Sequence, residues 1–338
     1  MQSTVSTTQT IEIQGKTWTF DSTPPKPQIP KAFFQATYWD LCRSILFMLC
    51  LWAIPAFISL GVYYTDIPIA CKITVYLVMG WLSGSGIVLS EWIGHDAVHG
   101  SLLPKNRKLA MLISLIISPA ILGFMNMGFA ARHLEHHRYT NQESDYDTTH
   151  YSKYKGILGR LFLSRIHKNF IYMYAAYLAF QGDSKHVLPG YTLRQIRLLV
   201  IANAIFAFLW ISFYTMIAIY NLPLFVFLAF LPTISLILST GALTYQQHGG
   251  TGDTDPSDHW RNTRSMTSPF WTFLYGGGNF HLEHHLYPTV PFFNLPKVHQ
   301  YLKENNYFEL GGLHLDDSHI GGYKYFSSNY PYPNPTSS

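Results

Sequence analysis

The chain has 338 residues, with 23 Lys and Arg against 19 Asp and Glu and a formal net charge of +4, a balance too weak to suggest a nucleic-acid partner. Only 12% of residues are charged, while 48% are hydrophobic and 16% aromatic; an ordinary soluble domain carries roughly 25% charged residues, so a membrane protein is expected. The three cysteines, Cys42, Cys50 and Cys71, lie in or beside apolar runs without a CxxC spacing, which excludes a disulfide framework and a cysteine metal site.

Residues 1–43 are polar and then proline-rich (Pro24, Pro25, Pro27, Pro30) and carry no secretory signal pattern, so they read as a tail or membrane-surface segment. Four apolar stretches follow, at about 45–64, 73–93, 198–220 and 223–245, each near the ~20 residues a helix needs to cross a bilayer. They form two hairpins, turning at residues 65–72 and at Asn221-Leu222. The stretch 94–197 between them holds thirteen Lys and Arg, whereas the two turns hold only Lys72. The positive-inside rule then places the middle region and both termini in the cytoplasm. Residues 109–130 are also apolar, but a fifth crossing would put His95 and His133 on opposite faces. Pro119 at the centre predicts two half-helices that dip in and return, which is tolerated where the bend is buried in protein. A shorter surface segment is expected at 170–180. The predicted fold is all-α and membrane-integral, with four transmembrane helices in two hairpins under a helical cytoplasmic cap; 44–305 form one domain and 306–338 a tail.

Histidine is over-represented, with sixteen copies, half of them in three clusters. Just after the second crossing come His95 and His99, which share a helix face at spacing i, i+4. The second cluster is His133-Leu-Glu-His136-His137 and the third His281-Leu-Glu-His284-His285; at about 100° per residue all three rings of each are expected to face one point. Eight imidazoles packed at a membrane boundary are costly unless neutral and ligated to cations. Eight nitrogens exceed the needs of one ion, so two metals are implied, and all-imidazole ligation leaves zinc, copper, iron or nickel open. His248, after the fourth crossing, is a ninth candidate. Asp96, Asn279, Glu135 and Glu283 are expected to orient rings by hydrogen bonds or ion pairs. Asp145 and Asp147 read as solvated loop or helix-capping residues. The basic set Arg132, Arg138, Lys153, Lys155, Arg160, Arg165 and Lys168 reads as a cytoplasmic topology signal or a docking face.

These strings, Gly94-His-Asp-Ala-Val-His-Gly100, Arg132-His-Leu-Glu-His-His-Arg-Tyr-Thr-Asn141 and Asn279-Phe-His-Leu-Glu-His-His-Leu-Tyr-Pro288, resemble the HxxxH, HxxHH and HxxHH boxes of the membrane fatty acid desaturase superfamily over residues 40–305. The resemblance implies two iron ions held by His95, His99, His133, His136, His137, His281, His284 and His285, with His248 as a further ligand, and O2 as co-substrate. It implies a fatty acyl substrate, linked to a lipid, to CoA or to acyl carrier protein, in contact with membrane lipids. No flavin loop or haem domain is visible in the sequence, so ferredoxin or cytochrome b5 is expected as a separate electron donor. An acyl desaturase is the leading reading; a hydroxylase, a carotenoid ketolase or an acetylenase is the alternative within the superfamily. A metal transporter is disfavoured, because Glu91 is the only acidic residue in the four crossings and lies near an end. The Gly249–Asp253 run lacks the lysine of a phosphate loop, and the Tyr- and Pro-rich stretch 321–338 reads as a surface tail.

Overall fold

Four helices in the computed structural model are long and apolar enough to cross a membrane: α1 Tyr38–Tyr63, α2 Ile69–His99, α6 Leu193–Tyr220 and α7 Leu222–His248. The structure describes residues 8–311 except residues 22, 121–122, 143, 146, 149–152, 155, 187, 250 and 252–254. At 1.5 Å per residue α1 is roughly 39 Å long, enough for hydrocarbon and one headgroup layer. Its ends carry exposed aromatic rings, Tyr38 and Trp39 at one and Tyr63 and Tyr64 at the other, with Tyr220 exposed at the end of α6; such rings sit well at a headgroup boundary. Leu46, Ile54, Leu77, Leu198 and Phe208 are exposed between them and form an apolar belt for lipid.

The two hairpins pack through α2. Gly86 of α2 lies so close to the Trp52 backbone of α1 that a Cβ would collide there. Ser83 Oγ donates to Trp52 O (2.6 Å), and Trp52 Nε1 donates to Leu228 O (2.8 Å) at the wide π turn Val226–Phe230 inside α7. A widened turn frees a carbonyl from the helical ladder, and an indole N–H is a suitable partner for it.

Two half-helices replace a fifth crossing, as predicted: α3 Arg107–Ile117, a tight turn Ser118–Ala120, and α4 Asn126–Arg138. The break leaves backbone groups unpaired, and α6 satisfies them. Asn203 Oδ1 accepts from Met127 N (2.9 Å) and its Nδ2 donates to Phe124 O (3.3 Å). Trp210 Nε1 donates to Ile116 O (2.7 Å) and Tyr214 OH to Ala120 O (2.9 Å). Replacing Asn203 by Leu therefore orphans a buried N–H and a buried C=O, at about 1–3 kcal/mol each; thermal unfolding in detergent is expected to fall by several degrees, and an unchanged midpoint would show that the bend does not depend on this clamp.

Helix α5, Ser164–Gln181, extends the predicted surface segment at its N-terminal side and packs on α4, where Gly128 meets the Tyr172 backbone too closely for any side chain. Shorter helices follow, among them α8 Pro269–Tyr275, α9 His281–Leu286 and α10 Leu295–Glu304. The N-terminal segment, read from sequence as a tail or surface segment, instead carries a β-hairpin, β1 Gln9–Ile13 paired with β2 Lys16–Phe20. Its two-residue turn, Gln14-Gly15, has positive φ at both positions, the turn that suits the twist of paired strands. The segment packs onto the C-terminal helices: Trp18 meets Tyr307 edge-on at 5.9 Å, Tyr287 OH donates to Pro27 O (2.7 Å), and Asn294 Nδ2 donates to the Phe33 and Gln35 carbonyls. Residues 321–338 lie outside the described residues.

Candidate metal centre

The histidines converge because helix ends bring them there. α2 continues beyond its predicted crossing, so His95 and His99 occupy its last turns, and Gly100 ends it in the left-handed conformation (φ 70°), which glycine adopts without steric cost. The second box is the last two turns of α4, the third is α9, and His248 is the last residue of α7.

Two groups form among the described residues: His95, His99, His133, His137 and His284, and His136, His248, His281 and His285, with the candidate ligand atoms of each group within 4.8 Å of one another. All nine predicted histidines are thus brought together. The expectation that each three-histidine box faces one point is corrected. His136 leaves its box for the second group, and His284 leaves its box for the first. Helical geometry explains this: position i+4 slightly overshoots a full turn from i, whereas i+3 falls short of it, so the two rings diverge to opposite sides and each box straddles both groups. The groups abut where the His137 and His285 rings lie 4.3 Å apart.

Nε2 atoms face each other across each group: His133 and His137 at 3.1 Å, His137 and His284 at 2.9 Å, His248 and His281 at 2.8 Å, His136 and His285 at 3.2 Å, and His281 and His285 at 3.1 Å. Four rings present Nδ1 to atoms that only accept. His95 faces Asp96 (3.1 Å), His133 faces Asp147 (3.3 Å), His136 faces Asp145 (2.8 Å) and His248 faces the Asn262 carbonyl (3.2 Å). Each neutral ring then carries its proton on Nδ1 and turns a bare Nε2 lone pair inward. Converging lone pairs repel, and a cation between them converts that repulsion into ligation. The residues fit a pair of transition-metal ions bound by imidazole.

Electrostatics keep the rings ready to bind. Burial pushes His133 down to about 3 despite the Asp147 carboxylate. Burial, then neighbouring histidines, holds His137, His281, His284 and His285 well below the ordinary value. His136 goes the other way: burial lowers it, but the Asp145 carboxylate overrides burial and raises it, which makes it a more basic donor. For Asp147, burial alone would raise the carboxyl, yet Lys168 and the bond from His133 outweigh it and hold it well below the carboxylate range.

Asp145 and Asp147, read from sequence as solvated loop or capping residues, are buried and hold His136 and His133. Asp147 also accepts from Tyr172 OH (2.7 Å) and pairs with Lys168 (3.1 Å). Lys168 and Arg160 are buried as well, and Arg165 pairs with Glu91 across the α2–α5 contact; these three basic residues are internal ties and not a docking face. Arg138 and Lys153 remain exposed, and Lys155 lies outside the described residues. Of the four predicted orienting residues, Asp96 contacts a ligand ring. Glu135 pairs with Arg132 (3.1 Å). Glu283 is buried against His299 (2.6 Å) and Ser265, which anchors α9 from behind. Asn279 donates to Met266 O and Thr272 Oγ1 and fixes the turn ahead of the third box. Sequence reasoning missed the Asn262 carbonyl, Tyr172 and His299; the signal available for Asp145 and Asp147 was two carboxylates close behind a histidine box.

A cavity reaches His95, His133, His136, His248 and His281, walled by Trp92, Phe129, Tyr172 and Leu243. On the other side of Leu243, an apolar groove runs between α2 and α7, with Leu77 and Leu238 exposed at its rim.

Comparison with known sequences adds the lineage. The sequence model described as Fatty acid desaturase matches residues 69–315, most of the chain and all three boxes. The chain belongs to the fatty acid desaturase family. Members of that family are oxidoreductases, and four apolar helices agree with a membrane-bound one. This family member is 25% identical to a beta-carotene ketolase of Paracoccus sp. over 226 residues, 66% of this chain and 77% of the ketolase. It is 26% identical to a Delta 8-(E)-sphingolipid desaturase of Emericella nidulans over 72% of this chain, and spans about half (53%) of that relative. A 43-residue stretch, 12% of this chain and 10% of the relative, is 54% identical to a Delta(6)-fatty-acid desaturase of Caenorhabditis elegans.

Proposed function

We propose that this protein is an O2-dependent, di-iron desaturase that introduces a double bond into a fatty acyl chain. The observation that carries the reading is the two histidine groups with inward Nε2 atoms, rings of both lining an aromatic-walled cavity beside an apolar groove. His95, His99, His133, His137 and His284 would hold one iron and His136, His248, His281 and His285 the other. Bound iron supplies the redox chemistry with O2 that removes hydrogen from an unactivated C–H bond. The chain's own residues do the rest. The α2–α7 groove takes the apolar tail from the bilayer, and Trp92, Phe129 and Tyr172 exclude water from the reacting carbons. Asp145, Asp147, Asp96 and the Asn262 carbonyl hold the rings in one tautomer and orientation. Electrons come from a separate ferredoxin or cytochrome b5, and the basic stretch 94–197 puts the centre and both termini on the cytoplasmic side.

Oxygen insertion, as in a hydroxylase or a ketolase, is the second reading, favoured by the ketolase relative, of which the chain covers 77%. The two differ in product mass. In a carotenoid-containing host with a compatible donor, expression is expected to yield a lipid lacking two hydrogens that is absent with His284→Ala, read by mass spectrometry of lipid and pigment extracts. A product with added oxygen would move the assignment to the second reading, and no change in either pool would remove both.

A further inference from the structure

The cavity that reaches the histidines is not purely apolar. One stripe of α7, Thr240, Leu243, Thr244 and Gln247, faces it, and the Glu91–Arg165 ion pair also lines it. The two threonines donate their hydroxyl protons to their own helix, Thr240 to Leu236 O (2.8 Å) and Thr244 to Thr240 O (3.0 Å). Gln247 is different. The residue is only 4% exposed, and its Nε2 has no acceptor among the described residues. It stands next to His248, in the wall of the space where a substrate's reacting carbons would lie. A buried amide donor without an acceptor costs free energy unless the ligand supplies one, and a plain methylene chain offers none. Nor does a run of methylenes gain from lying against a desolvated ion pair.

We propose that Gln247 is a specificity-determining residue, donating a hydrogen bond from Nε2 to an oxygen on the substrate, and that the substrate is a long-chain lipid bearing a hydroxyl or carbonyl group close to the carbon that is oxidised. The proposal rests on the lipid-oxidising reading and narrows it. A site built to bond such an oxygen discriminates strongly against the analogue that lacks it, because its own donor is then left unpaired. The Glu91–Arg165 pair adds a further polar patch to the cavity wall, while the α2–α7 groove takes the rest of the chain.

The test uses the full-length, iron-loaded protein in detergent and native mass spectrometry, titrating octadecane against octadecanols hydroxylated at successive positions. At least one octadecanol is expected to bind about tenfold or more tightly than octadecane, and in Gln247→Leu and Gln247→Met that ratio is expected to fall to within about twofold. Iron content matching the unsubstituted protein certifies that each variant is folded, and having two variants separates the lost amide from a change of shape. Equal binding of octadecane and every octadecanol, or a preference that survives both substitutions, would overturn the proposal while leaving the lipid reading in place. Binding of none of the chains would overturn both.

Discussion

His136→Ala is expected to abolish turnover and to lower bound iron from about two ions per chain to about one, since it leaves the smaller group only three imidazoles where a first-row ion takes four or more ligands. It also leaves the buried Asp145 carboxylate without the ring it faces at 2.8 Å. His284→Ala removes one ring from the larger group, in which four remain, so it is expected to lose turnover with a smaller loss of iron. Neither ring lies in a membrane-crossing helix, so both variants should insert and elute from a sizing column like the parent. Elemental analysis per chain, beside lipid product analysis, checks this; full activity in both variants would sink the ligand assignment, and equal iron loss would sink the division into five and four.

Asp147→Asn tests the carboxylate layer. Asp147 restrains His133 and is the counter-charge of buried Lys168. Asparagine keeps the shape but removes the carboxylate that Lys168 pairs with at 3.1 Å, a change that costs about 3–5 kcal/mol when a buried pair loses one partner. It also weakens the hold on a ligand ring, for which a loss of about 10–100-fold in metal affinity is usual. The two effects separate in the double variant Asp147→Asn, Lys168→Met. Removing the cation as well is expected to restore most of the unfolding temperature but not the iron affinity. Recovery of both together would mean that Asp147 serves folding alone, and its role at His133 would be withdrawn.

Hydropathy and helical spacing made much of this molecule legible in advance. The four crossings follow from apolar runs of bilayer length, and the broken fifth follows from Pro119 and the need to keep His95 and His133 on one side. What spacing concealed was carried by irregular chain. Asp145 and Asp147 lie on a loop, where no periodicity reports which way a side chain points, so a polar sequence context suggested solvent when the residues are buried. The clamp on the half-helices has a related cause: Asn203 is a lone amide in an apolar span, a residue stable there only if it bonds something, yet its partners are some 76 and 79 residues away in the chain. Lys168 and Arg165 read as surface charges because composition cannot tell a paired internal cation from a solvated one. The division of the histidines into five and four was present in the opposite angular offsets of i+3 and i+4 within each box, but became a finding only once three helix ends fixed where the two groups stand.

The contacts between the N-terminal segment and the C-terminal helices set the order in which the molecule can be completed during synthesis. Pro27 leaves the ribosome 260 residues before Tyr287, its hydrogen-bond partner, and the β1–β2 hairpin must wait for Tyr307 before Trp18 can dock. A nascent chain that has reached His248 holds four of the five rings of one group but only His136 and His248 of the other. The second group therefore acquires its full set only when α9 emerges, and the β-hairpin docks on the C-terminal segment last, so a translation product arrested before residue 281 is committed to the bilayer with one of its two histidine groups half built.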